Sequence, residues 1–74
     1  MKAILEFNLP DDDSEFNLAT KGSKYYCTLW EMDQWLRSQI KYDDSLTDEQ
    51  HRTYQKCREQ LRECMSDNDV SFND

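Results

Sequence analysis

Apolar and polar residues alternate at the start of this chain and then change rhythm. Residues 2 to 9, Lys-Ala-Ile-Leu-Glu-Phe-Asn-Leu, set Ala3, Leu5, Phe7 and Leu9 on one side and Lys2, Glu6 and Asn8 on the other, with Ile4 the exception. A period of two predicts a strand with one apolar face. Pro10 removes a backbone donor and the acids after it favour a turn, so the strand is expected to stop there. Asp13 or Ser14 is then placed to cap a short helix to about Thr20, with Glu15 near its positive end and Phe16 and Leu18 as apolar anchors. Gly22, the only glycine, suits the left-handed residue that closes such a helix.

From Ser23, an N-cap by type, the spacing becomes helical. Tyr25, Leu29, Met32, Leu36 and Ile40 recur one turn apart, and Tyr26, Trp30 and Trp35 widen the stripe, which predicts a long helix to about Tyr42 with two contacting surfaces. Asp43-Asp44-Ser45 breaks the pattern. Thr47, with Gln50 three residues on, forms a capping box and marks the next helix start. Along that helix Tyr54, Cys57, Leu61, Cys64 and Met65 make a narrow seam suited to lying antiparallel against the preceding helix. Lys56, Arg58, Glu59, Arg62 and Glu63 read as its solvated outer face.

These elements add up to an α+β fold: one N-terminal strand, a short helix and an antiparallel two-helix hairpin. Residues 1–65 form a single small domain, and 66–74 a largely flexible acidic tail that Phe72 could anchor. A lone strand leaves both edges without hydrogen-bonding partners, so it calls for pairing with Val70-Ser71-Phe72 or with a second copy. A homodimer through the strand or a helix face is the expectation, with Leu5, Phe7, Tyr26, Leu29, Trp30, Leu36 and Leu61 as core or dimer residues. A chain of 74 residues buries a small share of its surface, so association would help its stability.

Charge narrows the functional classes. Sixteen Asp and Glu face nine Lys and Arg, for a net charge of −7. The surplus gathers at Asp11, Asp12, Asp13 and Glu15, at Asp43, Asp44, Asp48 and Glu49, and at Asp67 and Asp69 near the C-terminus. Such a chain repels nucleic acid and suits a basic protein surface, which makes these clusters the candidate partner-binding residues; solubility alone is the bland alternative. Catalytic residues are not in prospect. His51 is the only histidine, one glycine cannot build a phosphate loop, and three adjacent exposed acids lack the apolar pocket that would separate their roles. No cofactor or metal is expected, since no CxxC pair accompanies His51. Cys27, Cys57 and Cys64 read as reduced thiols, with Cys57 and Cys64 as small core residues. No apolar run reaches bilayer length and Glu6 comes too early for a signal peptide, so the expected place is the cytosol.

Met1-Lys2-Ala3-Ile4-Leu5-Glu6-Phe7-Asn8-Leu9-Pro10, followed by Lys24-Tyr25, Leu29-Trp30 and Asp33-Gln34-Trp35-Leu36-Arg37, resembles a group of small acidic phage-encoded proteins over nearly the whole chain. That group includes a staphylococcal phage inhibitor of the host replicative sliding clamp, a dimer that fills the ring's DNA channel. Most of the group has no assigned role, so the resemblance by itself implies a phage source rather than an activity. Likeness in size and acidity to the clamp inhibitor implies an acidic DNA mimic in the host bacterial cytoplasm that blocks clamp loading and arrests replication, and no residue-level motif is carried over. Two other readings stand beside it. One is an inhibitor of another basic nucleic-acid-binding host protein, such as a defence nuclease or RNA polymerase; the other is a structural or accessory protein that binds through exposed aromatics.

Overall fold

The computed structural model describes residues 1–72, and over that range the chain is three helices and no strand. Helix α1 spans Asp13–Thr20, α2 spans Gly22–Tyr42 and α3 spans Asp48–Asp67. The fold is therefore all-α, and the expected α+β architecture is corrected. Residues 1–8 form neither helix nor strand: Ile4, Leu5 and Leu9 remain exposed, and only Phe7 is half-buried, its ring centre 5.6 Å from that of Phe16 in an edge-to-face contact. Alternation fitted this segment for a strand, but strand structure needs a neighbouring backbone and none of the described residues provides one.

The turn into α1 is built by Asn8 and Asp12. The Asn8 amide donates to Asp12 Oδ2 at 2.9 Å and the Asp12 amide donates to the Asn8 carbonyl at 2.7 Å, which leaves Asp12 as N-cap without a side-chain bond into the helix. Gly22 does not close α1 in a left-handed conformation. It is the first residue of α2, and a single residue, Lys21, separates the two helices.

Helices α2 and α3 form the antiparallel hairpin. Early residues of α2 meet the end of the chain and late ones meet the start of α3: Tyr26 packs edge-on against Phe72 at 5.8 Å, Asp33 meets Arg58 and Arg62, Trp35 packs on Tyr54 at 5.7 Å, and a His51 ring nitrogen bonds the Ile40 carbonyl at 2.7 Å. The start of α3 is local chemistry. The Gln50 amide donates to Thr47 Oγ1 at 3.1 Å and the Thr47 amide donates back to Gln50 Oε1 at 2.9 Å, completing the capping box.

At its far end α3 closes through Asp69, whose φ of 55° is left-handed, while the Val70 amide donates to the Met65 carbonyl at 2.8 Å. This turn folds residues 70–72 back onto the hairpin. Phe72 is buried there and can serve as the anchor of the tail, whose other residues from Ser66 to Ser71 are exposed; Asn73 and Asp74 lie outside the described residues.

Very little of this is core. Among the described residues Leu36, Met65 and Phe72 are the only buried apolar side chains, while Leu29, Leu61 and Tyr26 are half-buried and Trp30 is exposed. The radius of gyration is 17.3 Å over a body of 53 × 28 × 20 Å. A compact domain of this length has a radius near 11 Å. The molecule is a rod whose apolar surface is only partly enclosed by its own chain.

A buried ion cluster and exposed acidic ends

Asp33 is the most buried residue described, with no exposed surface. It stands on the inner stripe of α2, in the series Leu29, Asp33, Leu36, Ile40, where spacings of four, three and four keep one face toward α3. Two arginines one turn apart on α3 hold it. Arg58 donates from Nε to Oδ1 at 3.0 Å and from Nη2 to Oδ2 at 3.2 Å. Arg62 donates from Nε to Oδ1 at 3.2 Å and from Nη2 to Oδ2 at 2.9 Å. Both forks are bidentate, the strongest geometry for this pair of groups. Arg62 also lies over the Phe72 ring, 4.8 Å from its centre, so the folded-back tail covers the cluster.

Burial by itself raises the Asp33 carboxyl's affinity for a proton, but the hydrogen bonds from Arg58 and Arg62 and the charges of both outweigh it. The group is held below the ordinary carboxylate value. Arg58 is shifted the other way, upward, chiefly by its hydrogen bonds to Asp33. The sequence pattern placed Arg58 and Arg62 on a solvated outer face, and the structure corrects this. The available signal was an acid on an apolar stripe opposite two arginines at i and i+4.

The predicted acidic residues are treated in the opposite way. Asp43, Asp44, Asp48 and Glu49 come together at the α2–α3 turn, at one end of the rod. Asp67 and Asp69 lie at the other end of α3, roughly 30 Å away by the length of the helix. Asp11, Asp12, Asp13 and Glu15 cluster at the start of α1 and are not brought to the turn cluster. Asp12 and Asp43 are partly covered and the rest are exposed. Among the described residues the only salt bridges are those of Asp33, so none of these ten acids is neutralised by an ion pair. Asp43 accepts from the Ser45 hydroxyl and amide, and these bonds lower its pKa.

Some of the acids also serve the helices. Asp48 and Glu49 sit in the first turn of α3, and Asp13 and Glu15 in that of α1, where negative charge is favourable.

The width of the α2 stripe predicts a second contacting surface on this helix. Tyr25, Met32 and Trp35 of α2 are each about half exposed, Trp35 with its ring against Tyr54 of α3. Cys57 and Cys64 of α3 are exposed, and so is Cys27, which corrects their assignment to the core. Their seven-residue spacing is helical, but Tyr54, Leu61 and Met65 take the inward positions and leave both thiols one step round toward solvent.

Comparison with protein-family models, with curated proteins and with solved structures gives no match. No group of metal-binding side chains occurs among the described residues, and no helix there is long and apolar enough to cross a membrane.

Proposed function

We propose that this chain is a non-catalytic, acidic inhibitor that occupies the basic DNA channel of a bacterial replicative sliding clamp in place of duplex DNA and blocks its loading, acting as a homodimer in the cytoplasm of the host. One observation carries the reading: among the described residues the acidic clusters at the helix ends have no salt-bridge partner, whereas the one acid that does, Asp33, is buried. Charge left unpaired on an exposed surface is available to a basic partner, and it speeds encounter as well as fixing orientation.

The magnitudes limit how close the imitation is. Duplex DNA carries one charge per ~1.7 Å, or about 30 over the 53 Å length of this rod. The chain carries −7, and two copies at −7 each carry −14. The field is half that of DNA or less, so apolar contact has to supply part of the affinity. The exposed aromatics are suited to that, and they are also what favours the second reading, an accessory protein that binds through Trp30, Trp35 and Tyr25 with little regard for salt.

Purified clamp, tested for binding and for displacement of primed DNA, separates the readings. The proposal expects binding that weakens with salt and competes with DNA. Failure to bind the clamp removes that target, and binding that ignores salt favours the aromatic reading.

A further inference from the structure

The chain exposes two apolar surfaces that do not cover one another. The first is the arm of residues 1–9. Ile4 and Leu5 are about three-quarters exposed and Leu9 about half, and no main-chain hydrogen bond is formed by residues 1–7. The arm's base is fixed all the same, by the Asn8–Asp12 bond pair and by Phe7 against Phe16, so its direction of exit is set before any partner arrives. The second is the face of α2 bearing Tyr25, Met32 and Trp35, with Glu31 beside Met32 and Trp35.

We infer that the arm of one copy lies across the Tyr25–Met32–Trp35 face of a second copy, and that the second copy returns its own arm in the same way. The inference rests on the self-association in the proposed function and adds its mode. Length permits it: eight extended residues reach about 26 Å, and Tyr25 to Trp35 spans about 15 Å of helix. Charge tolerates it. Direct apposition of two such α2 faces would bring the Glu31 edge of one copy toward that of the other, whereas the arm, with Lys2 and Glu6, brings no net side-chain charge to that edge.

Area supports it as well. Leu5, Leu9, Tyr25, Met32 and Trp35 would each lose roughly 100 Å², and two symmetric exchanges would bury about 1,000 Å², the least that a specific interface needs. Pairing the two arms with each other as a bare ribbon offers less, since an isolated two-stranded pair is marginal in water. The exchange would also cover apolar surface that the small core leaves open.

Cross-linking in the absence of any target tests this apart from the clamp reading. Cys27, Cys57 and Cys64, all exposed, are first replaced by Ser. One preparation then carries Leu5→Cys, a second carries Met32→Cys with a size tag, and the mixture is treated with a short bis-maleimide. The expected result is a mixed product joining the two species, with little product joining two Leu5→Cys chains. Ile4→Asp with Leu5→Asp, in the untagged parent, should turn a dimer of twice 9.0 kDa into a monomer without loss of helical circular dichroism. A dimer that gives no mixed product overturns the inference, as does a parent that sediments as a monomer.

Discussion

Asp33 and Asp44 are the same residue type eleven positions apart, at the middle and just beyond the end of one helix, and the fold uses them in opposite ways. Asp33 is sealed between two guanidinium groups; Asp44 faces water beside three other acids and no salt-bridge partner. The contrast shows where charge does structural work in this chain. A buried carboxylate tolerates its desolvation only because four hydrogen bonds and two positive charges surround it, and it fixes the register of α2 against α3 as it does so. The exposed acids contribute little to that register, so they are free to meet something else.

The largest effect should come from breaking the buried side of the comparison. Asp33→Ala removes the shared acceptor and leaves Arg58 and Arg62 facing each other, at an expected cost of about 2–4 kcal/mol, lowered from the fully buried case because both arginines can turn outward. Urea unfolding measures it. The same group gives a pH dependence of known sign. Its folded pKa lies below the unfolded value near 3.9, so its contribution is complete above about pH 5 and is lost as pH falls through the folded pKa. Asp33→Asn should flatten that acid limb; an unchanged limb would mean that other carboxylates produce it.

Next in size is Phe72→Ala, which takes the cover off Arg62 and the ring contact from Tyr26. We expect about 1–2 kcal/mol, with faster amide exchange at Val70 as the tail opens locally. Leu61→Ala should also cost about 1–2 kcal/mol, less than a fully buried leucine because Leu61 is only half-buried. A loss of 4 kcal/mol at Leu61 in a dimer would show that a second copy completes its burial.

The smallest effect on stability belongs to the exposed side. Asp11, Asp12 and Asp13 changed to Lys, or Asp43 and Asp44 changed to Lys, should alter the unfolding free energy by less than about 1 kcal/mol, since only the Asn8–Asp12 and Asp43–Ser45 bonds and weak helix-end terms are lost. A larger loss at either cluster would erase the distinction between structural and available charge.

How far the sequence anticipated this follows from how local each feature is. The Thr47–Gln50 box and the extent of α2 depend on neighbours within a turn, and both were legible. The antiparallel hairpin followed from a five-residue linker between two amphipathic stretches. Residues 2–9 show the limit: alternation states what a segment could do beside a partner backbone, and no such partner is present among the described residues. Arg58 and Arg62 were misplaced because a helical charge pattern does not say which charges point inward, and Asp33 sits 25 residues from the nearer of them. Cys57 and Cys64 were misplaced by a single step of rotation. The ten predicted acids are exposed or partly covered, in three groups rather than one surface.

The central claim, that the end acids are held in reserve for a basic partner, is tested most directly by the salt dependence of binding to purified sliding clamp, for the wild type and for the Asp43→Lys, Asp44→Lys variant. Affinity followed from about 50 to 200 mM salt should fall steeply for the wild type. The variant should bind at least tenfold more weakly at the low end, with a shallower slope and unchanged helical circular dichroism. Equal affinity and equal slope for the two proteins would contradict the account at this cluster, and absence of clamp binding by the wild type would contradict the proposed target itself.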